Sequence, residues 1–366
     1  MHNAPQTARR NLCNRDPEYS GGHMSESKIR NMEELASVSG ISRPTLSKYF
    51  NNPDSVRAST RKKVEAALQE HHYQPNIYAM NQNRRLTKNI GIVVPYLADP
   101  FFAEIARVIE NLVIQGGFRP ILLSSHGETR QEVENLDSLR SIRPAGVLLA
   151  PLGRRSDTAA VDRFCTDVPT VLFDNNLDDL GQAFFGLDNP QSVGLMVKHL
   201  CKTGEPPVFF EMKTPTNPNA YKRRRAYIDT MEALGLDPKL VQVEGETWDF
   251  EEIGYKGGLA AIRNRELCTN TVLCSNDRLA IGFLAAAYEC GLRVGCGTGC
   301  ALRVAGHDDH PYARFTCPPL TTIAQDYSAI ATRSVEAILN LIESGEHPDL
   351  RNSTLFEGTL IKRASA

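Results

Sequence analysis

From Asn89 onward the sequence alternates short β-rich apolar runs with helical stretches, and few folds accept such a rhythm. Ile90 to Pro95 precedes a helical stretch from Phe101 to Gln115, Arg119 to Ser125 precedes one from Thr129 to Ser141, and Gly146 to Ala150 follows. Similar runs recur at Val168 to Asp174, Val208 to Met212, Val241 to Glu244, Thr271 to Cys274 and Leu302 to His307. Strands that are apolar throughout need both faces covered, which parallel sheets with crossover helices provide. So many units within about 270 residues predict two doubly wound sheets, with binding expected in a crevice at the strands' carboxyl ends.

The chain has 366 residues, enough for two or three folding units with a sizeable core. Hydrophobic residues make up 41% and charged residues 23%, which excludes a disordered or fibrous chain. No apolar run approaches the length of a membrane span. The first 27 residues are polar and lack a signal-type apolar core, so a loose tail, with Met24 as an alternative start, and a cytoplasmic location are expected. The nine scattered cysteines fit reduced thiols rather than a disulfide framework.

Charge divides the chain. Residues 1–88 carry 14 Lys and Arg against 8 Asp and Glu, a net +6, whereas the remaining residues carry 27 against 35, a net −8. A basic head on an acidic body fits a head that meets a polyanion, although a solvated basic face would have the same composition.

The head decides between them. In the stretch from Asn31 to Asn51, Met32, Leu35, Ala36, Ile41, Leu46, Tyr49 and Phe50 recur at helical spacing, broken once at Ser39-Gly40. The pattern reads helix, tight turn, helix: Gly40 supplies the left-handed turn, Ala36 lets the helices cross closely, and Ile41 plugs the space between them. Ser42 is a natural N-cap for the second helix, with Pro44 tolerated in its first turn. Arg43, Pro44, Thr45, Ser47 and Lys48 then point outward, as the residues of a recognition helix do towards base edges and phosphates. A third helix from Ser59 to Leu68, with an apolar stripe of Val64, Ala67, Leu68 and His71, closes a small core.

Three pieces of this head, L-A-S-V-S-G-I-S-R-P-T-L-S-K, V-R-A-S-T-R-K-K-V-E-A-A-L and Y-Q-P-N at Tyr73 to Asn76, together resemble the LacI-type family of bacterial transcription regulators. The resemblance continues through I-G-I-V-V-P-Y-L-A-D-P-F-F-A-E-I at Ile90 to Ile105, S-N-D-R-L-A-I-G at Ser275 to Gly282, G-H-D-D at Gly306 to Asp309 and P-P-L-T-T-I-A-Q-D at Pro318 to Asp326. It covers nearly everything from residue 28 to the end. The implied fold is α/β: a three-helix helix-turn-helix head, and a periplasmic-binding-protein-like core of two doubly wound parallel-sheet subdomains. The implied boundaries are a tail at 1–27, the head at 28–75, a hinge at 76–88 and the core at 89–366. Subdomain one takes about 89–187 and 325–352, and subdomain two about 188–324 and 353–366.

The resemblance also implies roles. Asn51 and Thr60 join the recognition residues on DNA. In the family the hinge folds as a helix that wedges a Leu into the minor groove. Here the hinge residues Asn76, Ala79, Met80 and Gln82 would contact DNA, but Gln82 occupies the Leu position. Gln is a poor apolar wedge, so either Met80 substitutes after a shift or the DNA is bent less. The implied effector sits between the subdomains, held by Arg223, whose planar fork suits two hydroxyls or a carboxylate, and by Asp308, Asn276 and Asp277. Trp248, the only Trp, falls where some sugar-binding members have a stacking platform. Phe101 and Phe102, read as a loop after the first strand, would cover the ligand or simply pack, and Asp174 and Gln325 complete the set. Each has a plainer reading: Arg223 as one of three solvated arginines, Asp277 as a helix N-cap, Trp248 as a core or interface aromatic.

Other signals lead nowhere. Gly295 to Cys300 is glycine-rich but precedes a strand-like run, so no helix N-terminus is available to a phosphate. Cys290, Cys296, Cys300 and His307 lack zinc spacing, and no nucleophile elbow, HExxH or Walker motif occurs, so no metal, cofactor or catalytic residue is expected. No leucine heptads follow Glu357, so the tetramer-forming helix of some relatives is not expected. The expected function is transcriptional regulation, more narrowly repression: a homodimer on palindromic operator DNA, controlled by a sugar, sugar acid or sugar phosphate and without membrane contact. A sugar-binding module whose head no longer reads DNA is the alternative.

Overall fold

The computed structural model describes residues 29, 31–51, 53–73, 87–345 and 352–366, with Asn51 described in its backbone only. The chain forms two compact units, Met1–Arg84 and Arg85–Ala366, taken here in turn.

In the first unit, helices Met32–Ser39, Arg43–Asn51 and Ala58–Glu70 follow the apolar spacing. Asn31 caps the first helix by accepting from the Glu34 amide at 2.8 Å, and Gly40 ends it at φ +67° while donating to the Ala36 carbonyl. Ser42 Oγ accepts from the Thr45 amide at 3.4 Å, the cap expected of it. Leu35, Leu46 and Val64 are fully buried with Tyr73 beside them, each contributing about 1.5–3 kcal/mol by leaving water. His71 leaves the expected stripe, because it caps the third helix and stays partly exposed.

The second unit holds two parallel sheets. The first has six strands in the order β11-β5-β4-β3-β1-β2: β1 Asn89–Val94, β2 Arg119–Ser124, β3 Gly146–Leu149, β4 Thr170–Phe173, β5 Ala183–Leu187 and β11 Asn352–Phe356. The second runs β7-β6-β8-β9, from β6 Val208–Met212, β7 Leu240–Val243, β8 Thr271–Cys274 and β9 Arg303–Ala305. An antiparallel pair, β10 Thr322–Ala324 with β12 Thr359–Ile361, lies alongside through bridges from Ala305 to Thr321 and from Asp308 to Ala324. β3, β4, β6 and β8 are buried along their whole length, which is why continuous apolar runs marked them; β5 is buried just as fully but was not among the expected runs.

The chain passes between subdomains three times: near Asp188, at Gln325 and Asp326, and near Glu357. Two expected boundaries need correction. β11 pairs with β5 in parallel register from Asn352↔Ala183 to Phe356↔Leu187, so residues 353–356 belong to subdomain one, not two. Thr87 and Lys88, assigned to the hinge, are bonded into the core: the Thr87 amide donates to Arg143 and the Lys88 carbonyl accepts from Arg119.

Two glycines fix how subdomain two meets the cleft. The helices Phe250–Arg263 and Asp277–Glu289 touch backbone to backbone at Gly254 and Gly282, where a methyl group would overlap the carbonyls of Leu279 and Glu251. That close crossing brings Glu251 against Arg278 at the first turns of both helices.

Candidate functional site

The carboxyl ends of the strands face one another across a cavity enclosing about 650 Å³, part of it open to solvent. Beyond β1, Asp99 caps the helix Pro100–Gln115 by accepting from the Phe101 amide at 3.0 Å. Beyond β4 stands Asp174, at φ +63°. Beyond β8, Asn276 caps the helix Asp277–Glu289 by accepting from Leu279 at 2.8 Å. Beyond β9 come His307 and Asp308, and Gln325 follows β10 on a crossover.

Arg223, on the helix Ala220–Ala233, is 3% exposed and donates through all three of its side-chain nitrogens. Nη2 donates to Asp308 Oδ1 at 2.6 Å, Nη1 to Asp308 Oδ2 at 3.3 Å and to the Ser275 carbonyl at 2.8 Å, and Nε to Asn189 Oδ1 at 3.4 Å. Asp308 also accepts from Gln325 Nε2 at 2.7 Å. Burial pushes the Asp308 carboxyl up, but the Arg223 charge and the His307 bond outweigh it and hold it at about 2. Burial, helped by Arg223, lowers the adjacent His307 to about 4 against the pull of Asp308.

Two further carboxyls behave oppositely. Burial raises Asp174 to about 7 despite the positive charges of Lys222 and Arg223. Asp277 is likewise raised to about 7 by burial and the neighbouring Asp308, although Thr322 Oγ1 donates to it at 2.6 Å and the His310 amide at 2.8 Å. Among the described residues, three polar residue pairs join the two subdomains across the cleft. Arg278 Nη1 donates to Asp99 Oδ2 at 3.0 Å while its other nitrogens grip Glu251, Asn219 Nδ2 donates to Asp174 Oδ1 at 3.0 Å, and Lys222 Nζ donates to Asn175 Oδ1 at 2.6 Å.

Phe101, Phe102, Asp174, Arg223, Asn276, Asp277, Asp308 and Gln325 all line this cavity. Trp248 does not, and its reading as a stacking platform is corrected. It is 5% exposed, stacked on Tyr96 with ring centres 5.0 Å apart at 11°, and flanked by Phe102 and Phe250, so its faces are already covered by aromatic neighbours. Arg223 is not a solvated arginine, and Asn276, not Asp277, is the cap. Phe101 and Phe102 lie in the first turn of a helix rather than a loop. Asp99, Asn219, Arg278 and His310 were missed. Asp99-Pro100 before an apolar run is a helix-start signature and could have been found, as could Arg278 inside S-N-D-R, whereas Asn219 has no local signal.

In the head, Arg43 is exposed and reaches Glu33 at 3.3 Å, Pro44 and Lys48 are exposed, and Thr45, Ser47 and Thr60 are partly so. Leu46, between Thr45 and Ser47, is the inward residue of that turn. The Asn51 side chain, Asn76, Ala79, Met80 and Gln82 lie outside the described residues, as does the tail at 1–27.

A basic helix-turn-helix head and a two-subdomain core closing on a polar cavity define an effector-responsive DNA-binding transcription regulator. Within that class the chain belongs to the LacI family: the model of the lacI family of bacterial regulatory proteins matches residues 31–76, and that of the periplasmic binding protein-like domain residues 197–366. The ribose operon repressor of Escherichia coli (strain K12) is 28% identical over 92% of this chain and 99% of its own length. The HTH-type transcriptional repressor PurR of Pasteurella multocida (strain Pm70) is 28% identical over 87% of this chain and 96% of its own. Among solved structures, the lac repressor dimer bound to operator and the anti-inducer ONPF superimposes with a TM-score of 0.79 at 25% identity, covering 92% of this chain and 99% of that one. These relatives are regulators, not enzymes, and no helix among the described residues is long and apolar enough to cross a membrane.

Proposed function

We propose that this protein is a cytoplasmic repressor that binds a palindromic operator as a homodimer and changes its operator affinity when a sugar or sugar derivative fills the cleft. The observation that carries this reading is the buried Arg223–Asp308–Gln325 cluster, which sits where β9, the crossover after β10 and the helix Ala220–Ala233 converge. A bidentate guanidinium–carboxylate pair flanked by an amide offers matched donors and acceptors to vicinal hydroxyls. Asp174, Asn276, Phe101 and Phe102 form the remaining wall, while Asp277 holds the loop that carries His310. The repertoire of the relatives supports a sugar: one is a ribose operon repressor, and a neighbouring lac repressor structure holds ONPG.

In this reading Arg43, Pro44, Thr45, Ser47, Lys48, Asn51 and Thr60 meet the major groove and its phosphates. The hinge residues Asn76, Ala79, Met80 and Gln82 approach the minor groove. Two heads related by a two-fold axis double the base contacts, which a single three-helix head cannot supply alone. Effector binding would alter the closure of the subdomains and shift operator affinity by the roughly 1–3 kcal/mol usual for such coupling.

The test is selection of bound fragments from the source genome by the purified full-length protein at near-physiological salt, with and without a panel of sugars. A shared palindrome whose recovery responds to one sugar is the expected result. Salt-sensitive binding without any consensus would overturn it in favour of a ligand-binding module. Lys48→Ala and Arg43→Ala sharpen the test, since a sequence reader loses discrimination at particular base pairs by about 1–3 kcal/mol.

A further inference from the structure

Both guanidinium groups that line the cavity are already paired with carboxylates. Arg223 forks onto Asp308 and also donates to Ser275 and Asn189, and Arg278 forks onto Glu251 and donates to Asp99. An incoming carboxylate or phosphate would therefore find no free fork and would have to displace a buried carboxylate from its partner.

The polar atoms left over are of another kind. Gln325 Oε1 and Asn219 Oδ1 are buried without a hydrogen-bond partner, and their residues are 6% and 4% exposed. Both amides are oriented by the carboxylates that take their nitrogens, Asp308 and Asp174, so each presents an acceptor. His310 Nδ1 accepts from the Tyr312 amide, which leaves its unpartnered Nε2 as the protonated nitrogen and a donor. Beside Asn219, Asp174 is a buried carboxylate with no ion-pair partner among the described residues, since Lys222 directs its ammonium to Asn175. The other acidic side chains of the wall are engaged: Asp309 by Arg363, Glu104 by Arg107, and Asp277 by Thr322 and the His310 amide.

From this pattern we infer that the effector is an amine-bearing polyhydroxy compound, an amino sugar or amino polyol, whose ammonium sits against Asp174 and Asn219 while its hydroxyls meet Gln325 and His310. An ammonium brings three donors and a positive charge to a carboxylate that has one amide donor and no ion-pair partner, and to an amide oxygen that has no donor. The inference rests on the reading of the cleft as a polyhydroxy effector site and narrows it to one charge class, against sugar acids and sugar phosphates.

Calorimetric titration of the full-length protein separates the two levels. The probes are glucosamine, galactosamine and mannosamine, each beside its neutral hexose and its uronic acid. At least one amine is expected to bind ten-fold or more tightly than its neutral congener, with no uronate binding. A neutral hexose that equals its amine, or any uronate that binds, overturns this inference and leaves the sugar-effector reading standing. If no member of the panel binds, the polyhydroxy reading itself fails and the inference with it. In Asp174→Asn the amine preference should fall below two-fold. Should that variant fail to fold, Lys222→Gln keeps a donor for Asn175 and removes the nearest competing cation. It should raise the preference at least three-fold, and an unchanged preference in Lys222→Gln would remove Asp174 from the role.

Discussion

Arg223 and Asp308 are coupled so that losing one costs more than losing both. Arg223→Ala leaves a carboxylate 17% exposed in its side chain without its partner, and should lower unfolding free energy by roughly 3–5 kcal/mol. Adding Asp308→Leu to it should recover a large part of that loss, read as a partial return of the urea midpoint. The pair also sets an acid limit. The Asp308 carboxyl, held at about 2, contributes stability that is complete above the ordinary Asp value and is lost as pH falls towards 2. Asp174 has the opposite sign. Its value is raised to about 7, so the native state holds its proton longer than the unfolded chain, and stability is lost as pH rises from the ordinary range near 3.8 through 7. Asp174→Asn keeps an acceptor for Asn219 and should stabilise the protein relative to the parent more at pH 8 than at pH 5, by about 2–3 kcal/mol in unfolding free energy. Equal gains at both values would show that Asp174 does not titrate in this window.

At the scale of elements, the crossing at Gly254 and Gly282 carries the geometry of the cleft's second wall. Gly282→Ala places a methyl on the Glu251 carbonyl, so the helices must separate and Arg278 must lose its grip on Glu251 or on Asp99. A loss of about 3 kcal/mol or more is expected by denaturant unfolding, whereas Gly297→Ala, with open space around its Cβ, should change little. Such a crossing is not visible in sequence, where both residues look like ordinary helical glycines. What was visible follows the same logic in reverse. β1, β3, β4, β6 and β8 declared themselves because both their faces are covered. β11, reading Asn-Ser-Thr-Leu-Phe, and the short β12 did not, because an edge strand with polar residues owes its place to a partner far away in sequence. Within the site, Arg223 and Asp308 were legible through their motifs. Trp248 was misjudged because the ring that covers it, Tyr96, lies in the other subdomain and is joined to it by no local pattern.

At the scale of the whole core, that same stack joins the two subdomains, and the chain has no other tryptophan. Indole emission therefore reports closure. A ligand that holds the subdomains together should keep the emission blue, and Tyr96→Ala should shift it red by exposing one face of the ring. A Tyr96→Ala spectrum identical to the parent's would mean that Trp248 stays buried without the stack. The three crossings have a different consequence, which concerns the order in which the molecule comes into being. Subdomain one is not finished until Asn352–Phe356 has joined β5, and subdomain two not until Thr359–Ile361 has paired with β10 and Ser365 has bonded to Thr321 and Val304. The helices of the head, by contrast, draw on one continuous stretch near the start of the chain. On the ribosome the head can fold hundreds of residues before the effector cavity exists, so a nascent chain is able to acquire its DNA-reading surface while it is still deaf to the ligand that will govern it.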